Sequence, residues 1–390
     1  MTNAIKCRPN TTDGKLKMDR EKDRALLAGC ATFHLYKELR AAKPKLIIPM
    51  GAFACAAIDT DINLELQHGF PIKTNWGWTF PMYHPAGGIH EPKKMLLIRN
   101  DWYRLRQYLK GKLKLPVDPF AGSEDYRLIE DPYQINEDLA GMQDCSLACD
   151  TETTRKKQPF CLTYSVKPGT ARLIRAEDKE SLAQFQRHLN EWESEILWHN
   201  WLFDYGVTKR MGLTFPRRLI RDTMKDAFHL GNIPKGLKAL SFRHLGMTME
   251  DFDDVVRPHS TARVVEYYRR AQELDWEKPD QQLVRDPKTA KWKLYSPQSM
   301  STKLKRFFTD YTKNPLKDVF EMWEKNWEDE QEVIEAACGE WPGKCISHVP
   351  FELAKFYACR DADALLRLAP MLTRAIRGVR RKPQETWMEA

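Results

Sequence analysis

The sequence predicts an α/β protein of two parts. Three observations carry this: strand-like and amphipathic helix-like stretches alternate over residues 21–110, strand-like stretches joined by turns follow at 145–175, and the basic excess lies in the first part. Of a net charge of +8, residues 1–120 hold 20 Lys and Arg against 11 Asp and Glu, and the remainder holds 42 against 43. A basic first part suits either an electrostatic footprint for DNA phosphates or an ordinary solvated face. The 390 residues suffice for two or three domains.

The elements follow in order. TNAIKCRPN opens with the alternation of a strand, and residues 21–42 have helical periodicity with Leu26, Leu27, Leu35 and Leu39 on one face. KLIIPMG from Lys45 reads as a buried strand closing on a glycine turn, AFACAAI as a helix, and WTFPMYHPAGGIHEP from Trp78 as a strand ending in a Gly-rich loop. KKMLLIRNDWYRLRQYLKG is an amphipathic helix, which ends a first domain at residue 114. Residues 115–143 carry Pro, Gly and acidic residues and read as a linker, with YRLIEDP a strand able to dock on a neighbour. Strands at 145–150, 160–166 and ARLIR come next, then a helix capped by Asp178 and the strand EILW. Residues 255–350 form a helical insertion with a loop or small hairpin. There Lys291, Trp292, Lys293, Tyr295, Lys303, Lys305, Arg306 and Phe307 suit either stacking on single-stranded DNA or an ordinary amphipathic face. Residues 376–390 are a basic tail. Nine irregularly spaced cysteines predict reduced thiols and a cytoplasmic protein, and no apolar window is long enough for a membrane span.

The chemistry starts at CSLACDTETT. Asp150 and Glu152, one residue apart on a strand, point to the same face, where two carboxylates repel unless a cation lies between them. Asn200 and Asp204 are four apart in EILWHNWLFDYGV, and Tyr357 and Asp361 are four apart in KFYACRDADALLRLAPML, each pair on one helical face. Four carboxylates and a phenol suit two divalent cations, Mg²⁺ or Mn²⁺, at roughly 3.5–4 Å for in-line phosphoryl displacement.

The three segments in this order resemble the motifs of DnaQ-like 3′-5′ exonucleases of the DEDDy kind, most closely the proofreading domain of family A DNA polymerases. The resemblance covers residues 140–375 apart from the insertion, with RDTMKDAFHLGN and KGLKALSFRHLGM as the helices after the second motif. It implies an RNase H-like mixed sheet over 144–375. Asp150, Glu152, Asp204 and Asp361 would be metal ligands, with Asp150 bridging, Tyr357 would orient the attacking water, and Asn200 would support the site. Asp363 reads as a solvent-facing or supporting residue, and Phe203 and His199 are candidates for nucleotide contact by position, with core packing the alternative. The implied substrate is DNA with single-stranded or frayed 3′ ends. With 29 residues after Asp361 no polymerase activity is expected of this chain, and the resemblance points to a phage chain serving a separately encoded polymerase. An RNase D-like ribonuclease and a non-catalytic DNA-binding scaffold are the competing readings.

Residues 1–114 are similar to iron-sulfur uracil-DNA glycosylases in TNAIKCRP, KLIIPMG and YHPAGGIHEP. The resemblance makes this a partial α/β/α domain and maps the uracil-reading Asn to Asn3, the His of the His-Pro-Ala motif to His84, and two of four cluster cysteines to Cys7 and Cys30. The family's first strand, water-positioning loop and first cysteine pair would precede Thr2, so an iron-sulfur cluster is not expected in this chain alone, and a separate chain supplying the missing segment is an expected partner. The expectation is no release of free uracil from a uracil-containing oligonucleotide above a His84→Ala control, and measurable release would overturn it.

Overall fold

The computed structural model describes residues 2–6, 24–230, 235–273, 283–285, 292–294, 335, 338, 339 and 341–381. They belong to two compact units, one drawing on residues 1–123, 222–249 and 364–390, the other on 124–221 and 250–363. Cys7, Lys291, Tyr295, Lys303, Lys305, Arg306 and Phe307 lie outside the described residues.

In the first unit, α1 (Arg24–Cys30), a π-helical turn (Ala31–Leu35) and α2 (Tyr36–Ala42) follow without a break, ending at Lys43 with φ +43°. Leu27, Ala31 and Leu35, spaced by four, are buried together against α3 (Ala52–Ile58). After α4 (Leu64–Gln67), a short hairpin joins β1 (Ile72–Thr74) to β2 (Gly77–Thr79). The strand expected from Lys45 is reduced to two parallel bridges, Ile47 with Thr79 and Met50 with Met82. The expected Gly-rich loop is instead α5 (Pro85–His90). Pro85 stands at its first turn, and His84 Nδ1 accepts the Ala86 N–H at 3.1 Å. The amphipathic helix forms as α6 (Lys93–Leu109).

Along the rest of the chain come β3 (Asp125–Leu128), α7 (Pro132–Leu139), β4 (Leu147–Thr153), β5 (Pro159–Ser165), β6 (Thr170–Arg175), α8 (Lys179–Asn190), β7 (Ile196–Trp198), α9 (Trp201–Arg210) and β8 (Ile220–Asp222). Then follow α10 (Thr223–Leu230), α11 (Leu237–Leu245), α12 (Phe252–Glu273), the antiparallel pair β9 (Leu283–Arg285) and β10 (Trp292–Leu294), and α13 (Phe351–Arg381). Six strands form one mixed sheet in the order β3-β6-β5-β4-β7-β8, in which β4 pairs antiparallel with β5 and parallel with β7. No helix among the described residues is long and apolar enough to cross a membrane.

YRLIEDP docks on the sheet as a strand: β3 pairs in parallel with β6, and in the rest of the stretch read as a linker Ile135 and Leu139 of α7 are fully buried. Arg172 secures this segment, reaching Asp125 at 3.1 Å and Asp138 at 2.9 Å. The helices after the second motif group with the first unit, where Ala227, Leu240 and Met247 pack with Ala364 and Leu368. In that unit the Arg243 guanidinium donates to the His68 carbonyl at 2.7 Å, and His68 Nδ1 meets the buried Asp101 carboxylate at 2.8 Å. Segments far apart in sequence supply these contacts, so composition shifts along the chain could not mark their limits.

The second unit holds α13 against the sheet through Asp363, which does not face solvent. It is fully buried, accepting from the Tyr126 hydroxyl at 2.9 Å and from the Gly169 N–H at 2.7 Å. Two residues turn a helix by about 200°, which carries Asp363 away from Asp361 and toward β3 and the β5–β6 turn. Replacing it leaves two buried donors unsatisfied. Asp363→Ala is expected to lower unfolding free energy by about 2–4 kcal/mol, read as a lower urea midpoint; an unchanged midpoint would refute the role.

Candidate metal centre

The central strand β4 builds one wall of the site. Its pairing with β7 spans Leu147 and Ala148, whereas its pairing with β5 continues to Thr153 opposite Pro159, so the strand's last residues run past the end of β7. Leu147, Ala148 and Cys149 anchor it in the core. Asp150 and Glu152, opposite Thr163 and Cys161, then project from one face.

Helix α13 builds the other wall. Ala354, Ala358, Cys359 and Ala362 are buried, and their small size lets the helix lie close to the sheet. Thr163 of β5 donates to the Ala358 carbonyl at 3.3 Å. This brings Asp361 to the strand's acids, and single oxygens of Asp150, Glu152 and Asp361 all lie within 4.8 Å of one another.

Asp204 approaches differently. It lies on α9, is buried, and accepts a 2.5 Å hydrogen bond from the Thr151 hydroxyl. Thr151 alternates to the face opposite Asp150 and Glu152. Asp204 therefore stands outside the close triad, yet near enough that its charge acts on Asp150. Burial, then Asp361, Asp204 and Glu152 in turn, push the Asp150 carboxyl well above the usual carboxylate range.

Tyr357, one turn before Asp361, packs edge-on against Phe252 at 6.1 Å. Burial and the Glu152, Asp361 and Asp150 carboxylates push its phenol up, so it keeps its proton at neutral pH. Burial also pushes up the thiols of Cys149 and Cys161 beside the acids. The triad itself offers carboxylate oxygens, a donor type that hard divalent cations such as Mg²⁺ or Mn²⁺ take.

Asn200 takes φ +75° and ψ +51° just before α9, a left-handed conformation that Asn tolerates; its side chain is exposed and forms no helix cap. Phe203 is exposed, so core packing does not account for it, and Leu202 and Tyr205 on α9 and Leu353 and Phe356 on α13 are exposed as well. His199 is half-buried. In the first unit Asn3 and His84 are both exposed, and no hydrogen bond joins them. Gly51, at φ +88°, leaves room for His84, whose Cβ would lie 3.2 Å from a Cβ added there. Cys30 is buried. Sequence reasoning missed Thr151 as the partner of Asp204; its signal was the single hydroxyl between two acids on an alternating strand.

The family described as the Uracil DNA glycosylase superfamily matches residues 1–108, so the N-terminal part is uracil-DNA glycosylase-like. A type-4 uracil-DNA glycosylase of Saccharolobus solfataricus is 24% identical over 135 residues, covering 32% of this chain and 58% of that protein. One from Sulfurisphaera tokodaii is 22% identical over 134 residues, covering 32% and 57%. The chain thus spans less than two thirds of the length of these relatives. A solved chain described as the "apo form of the nuclease" aligns with 60% of this chain and 93% of its own at 17% identity, with a TM-score of 0.27.

The crowded acids make a stability prediction. A carboxyl whose affinity for protons rises on folding stabilises the fold in acid and loses that contribution as pH rises through its raised value. In chelator at pH 8, Asp150→Asn is expected to raise the melting temperature by about 2–4 °C per kcal/mol of relieved repulsion and to lose the further rise that Mg²⁺ gives the wild type. A lower melting temperature with the Mg²⁺ response intact would contradict this.

Proposed function

We propose that this chain is a divalent-metal-dependent 3′-5′ exonuclease that removes nucleotides from single-stranded or frayed 3′ ends of DNA, in proofreading for a separately encoded polymerase of phage type. The observation that carries the reading is the convergence of Asp150, Glu152 and Asp361 within 4.8 Å, with Tyr357 one helical turn from Asp361.

Asp150, Glu152 and Asp361 would hold the cations, with Asp204 completing the acidic set from α9. Bound there, two divalent ions would supply water activation and stabilisation of the leaving oxygen. The residues account for the rest. Water adds to the terminal phosphorus, the bond from phosphorus to the preceding 3′ oxygen breaks, that oxygen takes up a proton, and a 5′-mononucleotide leaves. Tyr357, protonated at neutral pH, orients the water through its phenol. Thr151 holds Asp204 in one rotamer, so the acid does not have to be ordered when substrate arrives. Exposed Leu202, Phe203 and Phe356 offer apolar and aromatic surface on which unpaired bases can stack, which favours a single strand over a closed duplex. DNA as the polymer is supported by the glycosylase-like match, since those relatives are named for acting on DNA.

The test is a 5′-labelled single-stranded DNA oligonucleotide with Mg²⁺ or Mn²⁺, beside matched RNA. Stepwise shortening from the 3′ end is expected. Asp150→Ala with Glu152→Ala should reduce it by roughly 10³-fold or more, about 4 kcal/mol of barrier, and Tyr357→Phe should lower kcat while leaving Mg²⁺-dependent stabilisation in place. No shortening by folded wild type would refute the reading, and shortening of RNA alone would make it a ribonuclease.

A further inference from the structure

The β4–β5 turn, which begins two residues after Glu152, carries chemistry opposite to that of the metal centre. With Trp341 and the 3-10 turn Ile346–His348 it frames a hollow of about 320 Å³ lined by Arg155, Lys156, Gln158, Ser347 and His348. Among the described residues, none that lines it is acidic. At about 3.3 Å per strand residue, Arg155 stands roughly 10 Å from Glu152 along the chain, and the hollow's other wall leads directly into α13 and Tyr357.

The hollow is built rather than incidental. The turn closes through Thr154 N–H to Gln158 O and Lys157 N–H to Thr154 O, both 2.8 Å, with Lys157 at φ +59°. From α9, Arg210 ties the Lys157 carbonyl to the helix that carries Asp204. Arg155 donates Nη1 to the Trp341 carbonyl at 2.7 Å and lies over Gly343, where an added Cβ would come within 3.1 Å of the guanidinium. One of its five N–H donors is committed to that carbonyl, which orients the planar fork for an anion. Lys156 and Gln158 beside it are exposed.

We infer that this basic hollow binds a phosphodiester of the single-stranded nucleic acid upstream of the scissile linkage, an inference that rests on the exonuclease reading. The terminal phosphate goes to the carboxylate side with its cations, and a preceding linkage goes to Arg155 and Lys156. The two sites lie at the end of one strand with opposite charge, so they set the polarity of the bound strand and favour a substrate longer than one nucleotide.

The test is anisotropy of a labelled oligothymidylate bound to the full chain in chelator across a salt series, with initial cleavage rates in Mg²⁺ measured alongside. Arg155→Ala with Lys156→Ala is expected to weaken binding about tenfold or more and to make the slope of log affinity against log salt shallower by about 0.7–1.4, since each single-strand phosphate contact contributes about 0.7. Lys156→Ala alone, at an exposed turn residue, should shift both in the same direction by less, and its melting temperature, measured alongside, keeps the test independent of any folding defect in the double variant. In cleavage, KM should rise while kcat changes less than about twofold, the pattern of lost uniform binding. Unchanged affinity and slope in both variants would overturn the assignment. So would thymidine 5′-monophosphate competing as well as the oligonucleotide, which would make the hollow a mononucleotide site. Binding that depends on Arg155 and Lys156 in a wild type that cleaves nothing would support the hollow and refute the nuclease.

Discussion

Like charge held against like charge at the end of β4 is the condition around which the second unit is organised. Three carboxylates with oxygens within 4.8 Å, and a fourth acid behind them, are favourable only with a proton or a cation among them. Every element nearby resists the spreading that repulsion would cause. β4 is pinned between β5 and β7, α13 lies close because its sheet-facing residues are small, and Asp204 is tethered by Thr151. An unsupported strand end would relieve the strain by fraying, and the centre would be lost with it.

The supports lie away from the acids themselves. Asp363 takes up donors from β3 and the β5–β6 turn, and Arg172 ties β3 and α7 to β6, so the position of Asp361 depends on contacts on the far side of its helix. The basic turn after β4 adds a second use of the same strand. Alternating pleats present the acids, and the residues after the pleat ends present basic side chains.

Much of this was legible locally and the remainder was not. Alternation gave the shared face of Asp150 and Glu152, helical spacing gave Tyr357 with Asp361, and Asp178 marked the start of α8 by its cap. The docking of β3 was weakly legible because its partner β6 is parallel and distant, leaving no hairpin turn to read. For Asp363, helical angle separates it from Asp361 but does not say that a tyrosine and a glycine N–H wait on the other side. The tether of Asp204 required knowing what α9 meets across the sheet. The grouping of α10 and α11 with the first unit was hidden because sequence order suggested the exonuclease-like part.

The clamp between Tyr126 and Asp363 closes a loop of 237 residues, and the contact of Thr163 with Ala358 closes one of 195. While the chain is being synthesised, the strands of the sheet leave the ribosome long before the helix that completes the acidic cluster. The nascent polypeptide thus holds the basic turn and the first two acids of the triad before the helix that closes it. The acidic triad is complete only with one late helix, so a chain interrupted before residue 361 lacks its third carboxylate.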